Sequence, residues 1–136
     1  VKMEESTLPS IDLKKNFDLY KRIHQGHKKK LFSSLHDISE GGMAVSLSES
    51  CFGGSLGLDL KIPDEENPLE ALFNEAPGRF IVTVSPDEVD SFEKLFKDSI
   101  KLGVVTQESE LKIQFQNRIL IKKTTESLKE IWRTPI

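Results

Sequence analysis

The sequence predicts an α+β fold in which a mixed β-sheet is covered by helices. Segments with helical spacing alternate with short apolar runs along most of its 136 residues, a pattern typical of strands joined through helices. Between residues 102 and 122, three short apolar runs follow one another without a helix, so purely parallel strand order is lost. A chain of this length can bury roughly two-thirds of its unfolded surface. We therefore expect residues 1–136 to form one domain.

Five helices are predicted where a capping signal precedes apolar residues at helical spacing. For four of them the N-terminal signals are Asp12, the pair Asn67-Pro68, the capping box Ser85 to Glu88, and Thr124 or Thr125, whereas the second helix follows the turn at Gly41-Gly42. The second helix, residues 42 to 52, and the fourth, residues 86 to 97, should pack on the sheet. Their apolar residues Leu47, Cys51, Phe92 and Phe96 should then be largely buried. The first helix repeats Leu13, Phe17, Tyr20 and Ile23 along one face.

Six strands are predicted from short apolar or alternating runs, at residues 31–38, 56–62, 80–84, 102–106, 111–116 and 118–122. The clearest run is 56–62, where leucine and isoleucine alternate with glycine, aspartate and lysine in strict period two. The last two strands should join around Asn117.

Composition excludes several classes of function. Charged residues make up 30% of the chain, with both signs interspersed and a net charge of -3, so we expect neither a nucleic-acid nor a membrane partner. No apolar run approaches the roughly 18 residues that span a bilayer, and no secretory leader is visible. The single cysteine, Cys51, lies in an apolar helical pattern, which predicts a buried thiol in a reducing compartment. We therefore expect a cytoplasmic protein, and the start at Val1 suggests a piece of a longer chain.

Residues 36–42, which we call the elbow, carry the strongest candidate site. A strand ends there and two adjacent glycines lead into a helix, whose N-terminus offers unpaired N–H groups and a partial positive charge. Glycines would let a phosphate lie against the backbone. The candidate phosphate-binding residues are His36, Asp37, Ser39, Glu40, Gly41 and Gly42. In the alternative interpretation the glycines only form a tight turn, and Ser39 or Asp37 caps the helix.

Other polar residues allow two interpretations each. His36 could orient a hydroxyl group or shuttle a proton, or it could be packed and satisfied. Asp37 or Glu40 could reach Mg²⁺, although Glu40 would repel a phosphate unless it points away or a cation intervenes. Glu75 and Arg79, four residues apart, could form a local ion pair or line a cleft.

A metal site within the chain itself is not predicted. His24 and His27 are three apart on a predicted helix, but no acidic or cysteine partner is near in the sequence, which favours a solvated face. The lysines at 28–30 suit the basic end of that helix.

Four segments, in order along the chain, resemble the phosphoribosylformylglycinamidine synthase family. His36 to Glu49 is similar to its H-D-x-S-E-G-G-L-A-V-A-L-A-E segment, and Leu8 to Leu13 to its P-P-x-L-D-L lead-in. Leu72 to Phe80 resembles L-F-S-E-x-x-x-R-F, and Leu128 to Trp132 resembles the terminal L-K-E-A-W. The departures are Ile38, Met43 and Asn74, which stand where the family usually has Cys or Val, Leu and Ser.

The resemblance implies the second small domain of such an enzyme, similar to the C-terminal domain of aminoimidazole ribonucleotide synthetase. The whole enzyme is a ligase that uses ATP and Mg²⁺ to activate the amide of formylglycinamide ribonucleotide, which ammonia from glutamine then attacks. Its partners would be its own ATP-binding domains, which this chain lacks, a glutaminase domain or subunit, and the phosphorylated ribonucleotide. In relatives the elbow faces a ligand cleft. The resemblance assigns no catalytic residue here, and we expect the isolated chain to fold, bind no cofactor and be inactive.

Two alternatives remain open on the sequence. One is another enzyme of the same superfamily, such as aminoimidazole ribonucleotide synthetase, selenophosphate synthetase or thiamine phosphate kinase, whose motifs fit less well. The other is a stand-alone ligand-binding or regulatory module without chemistry of its own.

Overall fold

The structure is a computed structural model that describes residues 11–54 and 56–134. In chain order the elements are α1 (Leu13–Lys28), β1 (Ser34–Asp37), α2 (Gly42–Cys51), β2 (Gly57–Ile62), α3 (Pro68–Phe73), β3 (Phe80–Thr83), α4 (Val89–Leu95), β4 (Gly103–Thr106), β5 (Glu110–Phe115), β6 (Arg118–Thr124) and α5 (Thr125–Arg133). A short 3₁₀ turn, Pro86–Glu88, precedes α4. No helix in the described part of the chain is both long and apolar enough to cross a bilayer.

The strands form a mixed sheet and a separate two-stranded sheet. The mixed sheet has the order β4-β2-β5-β6, in which β2 and β5 are parallel and the two outer pairs are antiparallel. The second sheet pairs β1 with β3, with Ser34 opposite Thr83 and Asp37 opposite Phe80. The α+β class with a mixed sheet is therefore confirmed, but the six strands do not share one sheet.

The core lies between α2, α3 and the mixed sheet. Leu111 and Ile113 of β5 and Ile62 of β2 are almost completely buried, because β2 and β5 are the central strands. From α2, Leu47 and Cys51 join the same cluster at 2% and 4% exposure, as predicted. Burial raises the pKa of the Cys51 thiol, because the thiolate would lose its hydration.

Capping residues fixed three of the helix starts. The carboxylate of Asp12 accepts from Lys15 N at 2.9 Å, Asn67 accepts from Leu69 N at 3.0 Å, and Thr124 rather than Thr125 caps α5. These side chains satisfy N–H groups that the first turn of a helix leaves without an intrahelical partner.

The predicted helix at residues 86–97 needs correction. The Ser85 side chain makes no capping hydrogen bond, and α4 ends at Leu95 and packs mainly against α1, not against the mixed sheet. Phe96 is buried, at 7% exposure, but Phe92 is only half-buried. The two rings stack at 4.8 Å beside Phe32, so an aromatic cluster between helices replaces the expected contact with a sheet.

Near α1 one further expectation differs from the structure, and the apolar face of the helix is largely exposed. The strand predicted at 31–38 begins only at Ser34, because Leu31 is buried and its N–H donates to Gly26 O at the end of α1. The apolar residues Leu13, Phe17 and Tyr20 are 77%, 58% and 46% exposed. Helical spacing therefore predicted the element correctly, yet most of its apolar face is uncovered in this chain.

Candidate functional site

The elbow joins the end of β1 to the start of α2. Ile38 anchors it, since its side chain is buried and its N–H donates to Arg79 O at 2.9 Å. Gly41 and Gly42 have φ of +81° and +68°, a left-handed conformation that glycine adopts at little cost. Gly42 N donates to Ser39 O at 3.0 Å. The two glycines are therefore required by the turn itself, whether or not a ligand binds there.

The end of α3 lies directly against the elbow. A Cβ placed on Gly42 would be 2.6 Å from Leu72 O and 2.8 Å from the Cα of Phe73. The close approach that the sequence suggested at Gly42 is thus made by protein backbone. This contact fixes the residues that follow α3 next to the N-terminus of α2.

Glu75 contacts the elbow through its carboxylate. Its Oε1 accepts from Gly41 N at 2.8 Å, at the helix end where the helix dipole favours negative charge. The amides of Gly41 and Gly42 therefore both have protein acceptors. A phosphate at this helix end would have to displace Glu75 or use the later N–H groups of the first turn.

Arg79 binds the C-terminal end of α3 through its guanidinium group. Its Nη1 donates to Asn74 O at 2.8 Å and its Nη2 to Ala71 O at 3.0 Å, so the guanidinium caps the C-terminus of α3. Within the described ranges no ion pair joins Glu75 to Arg79, which corrects the ion-pair interpretation. Both residues lie beside the elbow, Glu75 by side chain and Arg79 by its backbone bond to Ile38.

Both nitrogens of the His36 ring face oxygen atoms. Nδ1 lies 2.6 Å from Asp37 O, and Nε2 lies 3.6 Å from the Oε2 atom of Glu49 on α2. The other oxygen of Glu49 accepts from Trp132 Nε1 at 2.9 Å. Sequence reasoning missed Glu49 and Trp132 as neighbours of the site. Both stand in segments that carried the family resemblance, but spacing along the chain gives no sign that these segments meet.

The remaining elbow residues, Asp37, Ser39 and Glu40, are exposed. Asp37 O also accepts from the buried hydroxyl of Ser46 at 3.3 Å, which ties the end of β1 to the first turns of α2. With Glu75 close by, the surroundings of the elbow are acidic. In the described part of the chain, no group of three or more His, Cys, Asp or Glu side chains could hold a metal ion.

The two histidines of α1 take no part in the elbow. His24 and His27 are exposed on α1, and His27 and Lys28 lie in its last turn, where basic side chains complement the helix dipole.

A family model agrees with this architecture. The model described as "AIR synthase related protein, C-terminal domain" matches residues 4–116, most of the chain.

Two curated relatives of this chain carry the same name. The chain is 38% identical over 120 residues, 88% of its length, to the phosphoribosylformylglycinamidine synthase subunit PurL of Lactobacillus helveticus. It is 37% identical over 128 residues, 93% of its length, to the same subunit of Limosilactobacillus reuteri. These alignments cover only 16% and 17% of the relatives, so the chain spans about a sixth of their length.

Solved structures share the fold. The Thermotoga maritima PurL complexed with FGAR superposes with a TM-score of 0.78 at 18% identity, over 94% of this chain and 23% of that one. The PurLQS structure from the same organism gives a TM-score of 0.79 at 17% identity, over 91% and 23% of the two chains. At this level of identity the likeness concerns the fold.

Proposed function

This chain belongs to the family described as AIR synthase related protein, C-terminal domain, and from that membership we propose that it is the C-terminal domain of a phosphoribosylformylglycinamidine synthase. The observation that carries the proposal is the shared name of the curated relatives, whose alignments with this chain cover about nine-tenths of it. The structure adds that segments from three quoted motifs come together, through the Gly41–Glu75 and Glu49–Trp132 contacts.

The proposed whole-enzyme reaction is an ATP-dependent C–N ligation. Formylglycinamide ribonucleotide, ammonia released from glutamine and ATP give formylglycinamidine ribonucleotide, ADP and phosphate. ATP supplies the phosphoryl group that activates the amide oxygen, and ammonia displaces it as phosphate. The T. maritima relatives, solved as complexes with FGAR and with ATP, and the PurLQS assembly are in keeping with these ligands and with a glutaminase partner.

In this proposal the elbow lines the ligand cleft of the full-length enzyme. The residues nearest the phosphorylated ligand are His36, Asp37, Ser39, Glu40, Gly41 and Gly42, with Glu75 and Arg79 at the margin. Because Glu75 occupies the Gly41 amide, binding of a phosphate there would exchange one anion for another. The acidic surroundings favour a ligand that brings its own cation.

ATP and Mg²⁺ are proposed for the whole enzyme and not for this chain alone. The family resemblance implies ATP-binding domains in the whole enzyme, and we assign to them the groups that hold the nucleotide and its metal. We place the enzyme in the cytoplasm, since a single buried cysteine suits a reducing compartment.

The activity is tested on the full-length protein that contains this chain. Purified protein supplied with its glutaminase, or with ammonia directly, should form formylglycinamidine ribonucleotide only when ATP and formylglycinamide ribonucleotide are both present. If it instead cyclised formylglycinamidine ribonucleotide, or phosphorylated selenide or thiamine phosphate, it would be another enzyme of the superfamily. A protein that binds nucleotides without turning over any of these substrates would be a binding module.

The elbow is tested by adding charge at Ser39, which is exposed and lies before α2. A new carboxylate about 4 Å from a phosphate costs ~1 kcal/mol in water and more near a protein surface, so Ser39→Asp should weaken binding of the phosphorylated substrate roughly tenfold. The fold should persist, because an acidic residue is favourable near a helix N-terminus. Ser39→Asn, which adds size without charge, should lose less.

The matched control is Ser91→Asp on exposed α4, which introduces the same charge away from the elbow. Equal affinities for Ser39→Asp and Ser91→Asp, both measured by substrate titration of folded enzyme, would remove the elbow from the ligand cleft.

A further inference from the structure

Three distant segments converge on one carboxylate. His36 lies on β1, Glu49 near the end of α2 and Trp132 on α5. Trp132 is 83 residues further along the chain than Glu49. The Glu49 carboxylate bridges the other two, with Oε1 accepting from Trp132 Nε1 at 2.9 Å and Oε2 lying 3.6 Å from His36 Nε2. We call these three side chains the bridge.

The bridge fixes the plane of the His36 ring. Nδ1 lies 2.6 Å from Asp37 O, so the two ring nitrogens face acceptors on different elements. The Nδ1–Asp37 O contact is a hydrogen bond, and the 3.6 Å approach of Glu49 Oε2 to Nε2 is an electrostatic contact on the other side of the ring. A ring flanked in this way has less freedom about its χ angles than a ring bonded only to its neighbouring carbonyl. Glu49 is the group that closes the second contact, and its own orientation depends on the indole N–H.

Trp132 is anchored for this role by the end of α2. Its ring packs on Phe52 with centroids 5.7 Å apart, and the neighbouring Lys129 donates to Phe52 O at 3.0 Å. Although the tryptophan is 57% exposed, its single donor is directed at Glu49. Packing alone would be served by any large apolar residue, but only a side chain with a donor at this position can orient the carboxylate.

We propose that Glu49 and Trp132 are positioning residues that hold the His36 imidazole in place at the ligand cleft. The proposal rests on the function proposed above, in which His36 lies near the phosphorylated ribonucleotide. Glu49 and Trp132 do not touch the ligand in this scheme. They act through His36. In this way α5, which contacts α2, contributes to the site.

The first test follows the His36 ring in the 136-residue chain by NMR of its ring ¹H, ¹³C and ¹⁵N nuclei. Trp132→Phe keeps the aromatic packing and removes the donor, so it should shift the His36 ring signals. Glu49→Gln should shift them as well, since it removes the charge that faces Nε2. The exposed His24 and His27 on α1 serve as internal references and should not move.

The control for a merely structural effect is Lys129→Met. It removes the hydrogen bond from Lys129 to Phe52 O, which also attaches α5 to the end of α2, but leaves the bridge in place. It should destabilise the attachment of α5 while leaving the His36 signals where they are. If Trp132→Phe leaves the His36 ring signals unchanged, or if Lys129→Met shifts them equally, the bridge only attaches α5 and the proposal is wrong.

The second test measures steady-state kinetics of the full-length enzyme. Trp132→Phe should raise KM for formylglycinamide ribonucleotide several-fold, because removal of one neutral hydrogen bond typically costs about 1 kcal/mol. Lys129→Met should not. An unchanged KM in Trp132→Phe, with wild-type enzyme turning over, overturns the positioning role and leaves the proposed function standing. Failure of the proposed function would instead appear as absence of turnover in the wild-type enzyme.

Discussion

At Gly42 the elbow and the end of α3 touch through backbone atoms. The residue combines a φ of +68° with a contact in which a Cβ would meet the carbonyl of Leu72. From the sequence, paired glycines after a strand predicted a tight turn or a close approach. The structure has both at this residue, but the close approach is to α3, which no local pattern could identify.

Substitution of Gly42 should therefore act on stability first. Gly42→Ala should lower the free energy of unfolding by about 2 kcal/mol or more, since left-handed strain costs roughly 1–2 kcal/mol and the backbone of α3 cannot shift easily. Gly53→Ala is the control, because a Cβ there would have no atom within 4 Å. It should be nearly neutral or slightly stabilising. Similar urea-unfolding midpoints for the two variants would contradict this account of Gly42.

At the scale of elements, local sequence signals predicted where most helices and strands begin, but not which elements pair or pack with one another. Asp12, Asn67 and Thr124 cap their helices as expected, and the alternation at 56–62 gave β2 correctly, because these signals lie within one segment. The pairing of β1 with β3 outside the mixed sheet, and the packing of α4 on α1, depend on contacts between distant segments. Hydrophobic spacing cannot distinguish a sheet from another helix as the covering surface.

The packing of α1 against the region after α4 includes a bidentate ion pair. Arg22 Nη1 and Nη2 lie 2.6 and 3.1 Å from the two carboxylate oxygens of Asp98. The hydrogen bond from Arg22 holds the pKa of Asp98 below its ordinary value of 3.8. Because the folded-state pKa is the lower one, the pair stabilises the fold above that ordinary value, and this stabilisation is lost as pH falls through the folded-state pKa.

Asp98→Asn should therefore lower the melting temperature at about pH 6 and lower it less at about pH 2, where the folded-state carboxylate is more protonated. The effect should be modest, at most about 1 kcal/mol, because the Asp98 side chain is 60% exposed. Thermal unfolding of both proteins at the two pH values measures it. A difference that persisted undiminished in acid would show that Asp98 acts through packing and not through its charge.

At the scale of the whole molecule, the chain has a core but leaves an apolar helix face open. Leu13, Phe17 and Tyr20 of α1 are exposed, whereas the cluster around Leu111 and Ile113 is fully enclosed. The chain aligns with only about a sixth of the length of each of these curated relatives. A stable core with an incomplete site is what we expect of one domain in a larger enzyme.

The isolated chain should therefore fold and yet be inactive. It should unfold cooperatively, but it should neither hydrolyse ATP nor aminate formylglycinamide ribonucleotide, because the proposed nucleotide-binding groups lie outside it. Calorimetry and steady-state assays on the 136-residue chain check both parts. Turnover above the blank, in a preparation free of other proteins, would place catalytic groups within this chain.

The proposed place of the elbow in the ligand cleft is tested most directly by amide hydrogen exchange of the full-length enzyme with and without its phosphorylated substrate. With saturating formylglycinamide ribonucleotide, a peptide covering residues 38–46 should exchange more slowly, because the ligand would shield the first turn of α2. A peptide covering the β5–β6 hairpin, residues 110–124, belongs to the mixed sheet and contains no elbow residue, so it should be unaffected. Unchanged exchange at residues 38–46, in enzyme shown to be saturated, would contradict the account.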